Sequence, residues 1–171
     1  MGTPTLFIDA DACPVTKEAL ACARRAKVPV VIAGDTGHNL EKHVKAGDPR
    51  EPNGGFWVDI LACVPGADSA DFAIVSELSP GDVVVTQDFG LASMALGRGC
   101  AAIDVRGSIF DQRTIDALLL VRHATKRELR DKRRHGKPRV TKHDPFDEDD
   151  RERFRDNLTR LLREAKEASQ A

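Results

Sequence analysis

The 171-residue sequence contains no tyrosine and one tryptophan, and only 5% of its residues are aromatic. Exposed rings are the usual platforms on which single-stranded nucleic-acid bases stack. Phe is sparse, and the tryptophan, Trp57, lies in a segment that is expected to be a core strand. We therefore expect little recognition of nucleic acid by base stacking.

The chain also lacks any pair of cysteines in a C-x-x-C arrangement. Its four cysteines are scattered, at Cys13, Cys22, Cys63 and Cys100. This spacing disfavours a structural zinc site, and a chain without a secretory signal is expected to keep its thiols reduced. Cys13 precedes Pro14 at an expected helix start, where a thiolate is favoured, but a small packed residue is the more common role.

Long apolar runs are absent. The first residues, Met-Gly-Thr-Pro-Thr, provide neither the charged region nor the hydrophobic stretch of a signal peptide, and no later run approaches the length of a membrane span. We therefore predict a cytoplasmic protein without membrane contact.

Charge of one sign is concentrated in one stretch, although the net charge of the whole chain is only −1. Residues 1–121 have a net charge of −6, residues 122–142 of +8, and residues 143–171 of −3. Such a basic stretch is typical of contact with a polyanion, although a solvated helix face followed by a tail is an equally good interpretation. We predict contact of this stretch with a nucleic-acid backbone.

Apolar runs alternate with segments of helical periodicity, which predicts an α/β fold. A three-layer α/β/α arrangement with a mostly parallel, five-stranded sheet follows, as one domain over residues 1–171 with its core at about 1–121. The predicted strands are 5–9, 28–33, 56–64, 82–86 and 100–105. The predicted helices run from Pro14 to Ala26, from Asp68 to Leu78, from Leu91 to Leu96, and from about Asp111 to Arg134. A helical turn is expected near 40–46, and a last amphipathic helix passes through Phe154 and Leu162.

Aspartates follow two of these strands. Asp9 and Asp11 come directly after the first strand, and Asp88 follows the fourth. Ligands of open parallel sheets bind beyond the carboxyl ends of the strands, and two carboxylates in one cleft repel each other unless a cation or proton offsets their charge. Oxygen ligands of this kind suit Mg²⁺. Asp68 and Asp71, three residues apart on one helix, are expected to add carboxylates to the same rim.

A structural role is the alternative for such aspartates, since Asp after a strand often caps the next helix. Asp11 and Asp68 are good candidates for caps. His38 and His43 lack the spacing of a metal pair and are expected to be surface residues.

The motifs of this chain resemble those of the YaiI/YqxD family of uncharacterised bacterial proteins. The resemblance covers nearly the whole chain. It is carried by Ile8-Asp-Ala-Asp-Ala-Cys-Pro-Val15, Gly66-Ala-Asp-Ser-Ala-Asp-Phe-Ala-Ile74, Gly81-Asp-Val-Val-Val-Thr-Gln-Asp88 with Leu91-Ala92, Arg106-Gly107, and Pro145-Phe146 before a charged helix.

That family is similar to PIN-like nuclease domains, in which acidic residues at strand ends hold Mg²⁺ or Mn²⁺ for phosphodiester hydrolysis. The resemblance implies that Asp9, Asp71 and Asp88 match the first, third and fourth acids of that site. The second acid has no clear counterpart, and Glu41 and Glu51 are its possible substitutes. The implied activity is a metal-dependent nuclease, with RNA as the expected substrate.

A nuclease of this kind needs further side chains around the carboxylates. Asp11 is expected to orient waters from outside the ligand shell. Thr86 and Gln87 are expected to hydrogen-bond a phosphate or the carboxylates, and Arg106 or Lys17 to pair with a phosphate. Contact with the nucleic-acid backbone is assigned to cations of the basic stretch, among them Lys126, Arg127, Arg130, Lys132, Arg133 and Arg134.

Two other functions compete with the nuclease. A strand ending in Asp-x-Asp is also typical of haloacid-dehalogenase-like phosphatases, with Asp9 as nucleophile and Asp11 as proton donor, but no convincing lysine precedes Asp88. A receiver domain lacks its lysine between Cys100 and Val105 in the same way. A non-catalytic scaffold for RNA or protein, with a degenerate acidic pocket, is favoured by the missing second acid.

Overall fold

The computed structural model describes residues 2–10, 13–35, 39–45, 55–63, 69–132 and 145–171. Side chains are not described for Asp35, Ala62, Ser69 and residues 125–132. Within these ranges the chain forms six strands: β1 (Leu6–Asp9), β2 (Val30–Asp35), β3 (Val58–Cys63), β4 (Val83–Val85), β5 (Ala101–Ile103) and β6 (Ile109–Phe110). The same ranges contain five α-helices, α1 (Thr16–Ala26), α2 (Ser69–Glu77), α3 (Phe89–Gly97), α4 (Gln112–Lys132) and α5 (Glu148–Gln170), and a 3-10 turn over Glu41–His43.

The strands form one sheet in the order β3-β2-β1-β4-β5-β6. The first five strands are parallel to one another, and β6 pairs antiparallel with β5. The predicted fold class is confirmed, whereas the predicted strand count was one too low. The strand that was not predicted is β6, which follows β5 after a tight turn. Its two residues are too few to show an alternation of apolar and polar side chains.

Helices cover both faces of the sheet. Alternate strand residues such as Leu6, Ile8 and Ile32 pack with α1 and α5 on one face. The intervening residues, such as Phe7 and Val84, pack with α2, α3 and α4 on the other. This alternation is the two-residue period of a strand buried on both sides, and it gives the three layers that were predicted.

The last helix is part of this core. Phe154, Leu158 and Leu162 of α5 are fully buried in the cluster that holds α1. Asp147 caps α5, since its side chain accepts from the backbone N–H of Asp150 at 2.9 Å, and the two residues form a capping box. α5 therefore completes the layer that α1 begins.

Element boundaries differ from the predictions by a few residues. The predicted strand 56–64 begins as β3 at Val58, so Trp57 precedes the strand and is half-buried. The predicted helical turn near 40–46 is the 3-10 turn Glu41–His43. Among the described residues, none of the helices has the length and apolar character needed to cross a membrane.

Candidate active site

The order of strands in the sheet reverses direction between β1 and β4. From β1 the chain extends through β2 to β3 on one side, and it later returns to β4 and β5 on the other side. The crevice at the carboxyl ends of two such strands is where open α/β sheets bind their ligands. Asp9 is the last residue of β1, and Thr86 and Asp88 follow β4, so both sequence-predicted segments lie at this crevice.

The Asp9 carboxylate is buried and held in place by a hydroxyl. Asp9 is only 8% exposed, and its Oδ2 accepts a hydrogen bond from Thr86 Oγ1 at 2.9 Å. Thr86 is 1% exposed, and its Oγ1 also accepts from the backbone N–H of Asp88 at 3.0 Å. The Thr86 hydroxyl therefore connects the end of β1 to the segment that follows β4, because it donates to Asp9 and accepts from Asp88.

Asp88 caps α3. Its Oδ1 accepts from the backbone N–H of Leu91 at 3.0 Å, which satisfies a donor of the first helical turn. A Cβ on Gly90 would lie 2.9 Å from the same Oδ1, so the absence of a side chain there leaves room for the carboxylate. Asp88 thus has the structural role that is the alternative for an aspartate after a strand, whereas Asp11 and Asp68, the caps predicted from the sequence, lie outside the described residues.

Asp71 lies in the first turn of α2 and is half-buried. α2 follows β3 and leads into β4, which is parallel to the other strands, so its first turn belongs to the carboxyl edge of the sheet. The structure therefore brings Asp71 to the same edge as Asp9 and Asp88.

Of the four other predicted acids, Glu41 is the one that falls within the described residues. Asp11, Asp68 and Glu51 lie outside the described residues, and Glu41 is exposed in the 3-10 turn. Within the described ranges, no three His, Cys, Asp or Glu side chains come together as a group that could hold a metal ion.

Thr86 and Gln87 differ in exposure. Of the two partners expected for Thr86, a phosphate or a carboxylate, the structure shows the carboxylate of Asp9. Gln87, the next residue, is exposed at the rim of the crevice.

Arg106 has an acidic partner that the sequence analysis missed. Its Nη1 donates to Asp150 Oδ2 at 2.5 Å, and Arg153 Nη2 donates to the other oxygen of the same carboxylate. Asp150 is 5% exposed, and its charge is shared by two guanidinium groups. Arg153 Nε also donates to the backbone carbonyl of Arg106 at 2.8 Å, so the three residues join the turn after β5 to the start of α5.

Gly107 makes this junction possible. Its φ is +87°, a backbone conformation that other residues rarely adopt. A Cβ at this position would lie 2.5 Å from the backbone nitrogen of Phe154. Asn157 Nδ2 donates to the Gly107 carbonyl at 2.8 Å, so the turn is bound to α5 through its backbone. The Arg106-Gly107 motif has a structural function of its own.

Cys13 is a poor nucleophile in this environment. Burial raises the pKa of its thiol above the ordinary value, and the negative charge of Asp9 acts in the same direction. The packed role that the sequence favoured for this cysteine agrees with this shift, because a thiol with a raised pKa stays protonated at neutral pH.

Among the remaining predicted cations, the structure describes the side chain of Lys17 but not those of the basic stretch from Lys126 to Arg134. Lys17 is exposed in the first turn of α1, which follows the end of β1. Lys126, Arg127, Arg130 and Lys132 belong to α4, but their side chains lie outside the described part, as do Arg133 and Arg134 altogether.

Comparison with known proteins identifies the family. The family model described as an uncharacterized BCR of the YaiI/YqxD family matches residues 7–164. The chain belongs to the YaiI/YqxD family. The match covers the sheet and the helices on both of its faces, and it includes Asp9, Asp71, Asp88 and Asp150.

Several relatives of this YaiI/YqxD chain carry the name UPF0178 protein. One from Clostridium acetobutylicum is 38% identical over 125 residues, which covers 73% of this chain and 76% of the relative. One from Clostridium tetani is 34% identical over 161 residues, covering 94% and 98%, and one from Bacillus cereus is 32% identical over 150 residues, covering 88% and 92%. No solved structure gives a significant match to the chain.

Proposed function

We propose that this YaiI/YqxD protein is a metal-dependent nuclease that hydrolyses phosphodiester bonds of RNA at the crevice beside Asp9 and Asp88. The observation that carries the proposal is the buried Asp9 carboxylate, fixed by Thr86 at the point where the strand order reverses. A buried carboxylate has to be hydrogen-bonded, paired or bound to a cation. The carboxyl ends of the strands, where Asp9 lies, are where open parallel sheets bind their ligands. The resemblance of the family to PIN-like domains supports the same activity.

The donor chemistry of the site fits a divalent cation. Carboxylate oxygens are the ligands that Mg²⁺ and Mn²⁺ take in proteins, often only one or two of them with water and substrate phosphate. An ionised carboxylate has about four lone-pair sites, so the hydrogen bond from Leu91 leaves capacity for ligation at Asp88. In this proposal Asp9, Asp71 and Asp88 hold the cation directly or through water, since these three carboxylates do not form a ready-made ligand group in the structure. Asp11, two residues after Asp9, orients water.

The protein groups have separate roles in the proposed reaction. Thr86 fixes the rotamer of Asp9, and the cap on α3 fixes that of Asp88, so both carboxylates are oriented before a substrate binds. A divalent cation bound by these carboxylates would supply a water of lowered pKa and neutralise charge on the scissile phosphate. Gln87 and Lys17 at the rim contact the phosphate, as does the exposed part of Arg106. The basic stretch around Lys126 to Arg134 contacts the rest of the backbone.

Calorimetric titration with Mn²⁺ tests the metal site. Asp9→Asn and Asp88→Asn each remove a charge while preserving shape, and asparagine caps a helix as well as aspartate does, so both variants are expected to fold. Asp116→Asn, at an exposed position of α4, is the matched control. We expect the wild type and the control to bind Mn²⁺ and the two site variants to lose at least about tenfold in affinity. Absence of binding by the folded wild type would exclude the metal-dependent mechanism for the free protein and favour the scaffold function.

A further inference from the structure

We propose that a basic groove on one flank of α1 binds the phosphate backbone of single-stranded nucleic acid and directs it towards the candidate active site. The identity of the ligand rests on the proposed function, whereas the groove is lined by residues of which Lys17 alone is also assigned to the rim of the acidic crevice. It lies between α1 and the chain segment that pairs with the outer edge of β3. Its volume is about 670 Å³.

Six cationic side chains line the groove, and no acidic side chain does so among the described residues. They come from α1, from the segment around the 3-10 turn and from α5: Lys17, Arg24, Arg25, Lys42, Lys45 and Arg155. The chain as a whole has a net charge of −1, so this concentration of positive charge is local. A groove lined by one sign of charge attracts a polyanion and raises its association rate.

The two walls of the groove are held by backbone structure. On one side, Lys17, Leu20, Ala21 and Arg24 follow the three-to-four-residue spacing that places them on one face of α1. On the other side, Lys45 forms an isolated antiparallel bridge with Val58, with N···O distances of 3.0 and 2.8 Å. This bridge fixes the position of the segment that carries Lys42 and Lys45. The cations are thus presented by ordered elements.

Positive charges on opposite walls are close enough to influence one another. Burial lowers the pKa of His43, and the charges of Lys42 and of Lys17 across the groove lower it further. Lys17, Lys42 and Lys45 are exposed, and no ion pair involves them within the described part of the chain. Arg155 differs, because its Nη2 donates to Glu148 at 3.0 Å. Repulsion between unpaired cations is offset when a polyanion binds.

An aromatic ring distinguishes this groove from a simple basic patch. Phe56 lines it beside Leu20 and Val58, and the guanidinium of Arg24 lies 5.3 Å from the centre of the Phe56 ring. Positive grooves that contain an aromatic side chain are the usual binding sites of single-stranded nucleic acid, because the backbone meets the charges and a base contacts the ring. This combination favours a single strand over an acidic peptide, which offers no stacking partner.

The groove leads towards the acidic crevice. Lys17 lies in the first turn of α1, and α1 follows the end of β1, where Asp9 is located. A strand that binds along α1 from Arg24 to Lys17 therefore runs towards the carboxyl edge of the sheet.

Fluorescence anisotropy with a labelled 12-nucleotide single-stranded RNA, in the presence of a chelator, tests the groove independently of any metal or hydrolysis. The groove variant is Lys17→Gln/Lys42→Gln/Lys45→Gln, and the control variant is Arg98→Gln/Arg113→Gln/Arg160→Gln, which removes the same number of charges from exposed positions elsewhere. We expect the groove variant to bind the RNA about tenfold or more weakly. The slope of the logarithm of affinity against the logarithm of salt concentration should become shallower by about two, as the loss of three phosphate contacts predicts. The control should change by less than about twofold.

A second variant separates stacking from charge. Phe56→Leu keeps an apolar side chain and should weaken the binding of single-stranded RNA by about fivefold, but not the binding of inorganic polyphosphate of similar charge. Equal weakening by the groove and control variants would overturn the proposal, and so would wild-type affinity for polyphosphate equal to that for RNA. Because the chelator removes metal from the assay, RNA binding that depends on the groove supports the proposal even if the protein proves unable to hydrolyse RNA.

Discussion

The hydroxyl of Thr86 donates a hydrogen bond to the buried carboxylate of Asp9 over 2.9 Å and thereby joins the carboxyl ends of two neighbouring parallel strands. The same hydroxyl accepts from the N–H of Asp88, so it fixes both acidic positions of the candidate site. Removal of the hydroxyl leaves a buried acceptor and a backbone donor without this partner, a change that has a direct cost in stability.

Thr86→Val should therefore lower the free energy of unfolding by about 1–3 kcal/mol and also weaken Mn²⁺ binding, since Asp9 loses its orienting partner. Urea unfolding and calorimetry measure the two effects. Thr159→Val, at an exposed position of α5 where the hydroxyl donates to the Arg155 carbonyl at 2.7 Å, is the matched control and should change stability by less than about 1 kcal/mol, since water can replace that bond. Unchanged stability and metal affinity in Thr86→Val would show that the hydroxyl has no role at the site.

Asp150 is the acid on which the junction between β5 and α5 depends. Asp150→Asn removes the charge that balances Arg106 and Arg153, whose side chains are 35% and 50% exposed. Breaking a fully buried pair costs about 3–5 kcal/mol, and partial exposure reduces this to about 2–3 kcal/mol. Asp149→Asn, at the adjacent exposed position, should cost less than about 1 kcal/mol. Denaturant unfolding of both variants measures the difference, and equal losses would contradict the structural role of Asp150.

Gly107 is predicted to be intolerant of any side chain. Gly107→Ala places a Cβ 2.5 Å from the Phe154 nitrogen at a φ of +87°, and we expect a loss of more than about 2 kcal/mol of stability. Gly97→Ala is the control, because a Cβ there meets nothing within 4 Å and alanine is the better helix former. Thermal unfolding of the Gly107→Ala and Gly97→Ala proteins measures the two changes in stability. A Gly107→Ala protein as stable as wild type would mean that the turn is not packed on α5 as described.

Cys100 should resist alkylation in the folded protein. Burial raises the pKa of its thiol from 9.0 to about 11, and the charge of Asp82 contributes in the same direction. A raised folded-state pKa stabilises the fold below pH 9.0, and this contribution is lost as the pH rises through about 11. Iodoacetamide labelling followed by mass spectrometry should therefore show slow modification of Cys100 at pH 9 and rapid modification in urea. Equal rates in the two states would contradict this prediction.

Much of the fold follows from local patterns in the sequence. Each long parallel strand is an apolar run, because burial on both faces of a central sheet imposes this pattern. The helices α1 and α5 have a clear helical period of apolar residues. The pair Ile109–Phe110 escaped prediction since two residues are too few to show a period. The capping-box spacing from Asp147 to Asp150 was a signal for the start of α5, although it did not identify Arg106 as a partner.

Contacts between distant segments account for what the sequence did not predict at the site. Thr86 and Asp9 are 77 positions apart, and Arg106 and Asp150 are 44 positions apart, so only the folded topology shows that they meet. The basic groove has the same origin. It collects cations from α1, from the 3-10 segment and from α5, none of which is a conspicuous basic run, whereas the sequence drew attention to residues 122–142.

Hydrolysis of a labelled single-stranded RNA in the presence of Mn²⁺ tests the central claim most directly. We compare the wild type, Asp9→Asn, Asp88→Asn and the Asp116→Asn control, with a small phosphomonoester as the alternative substrate. The proposed function predicts metal-dependent cleavage of RNA by the wild type and the control, a loss of at least about a hundredfold in each site variant, and no consumption of the phosphomonoester. Cleavage that survives in Asp9→Asn, or consumption of the phosphomonoester alone, would contradict the proposed nuclease.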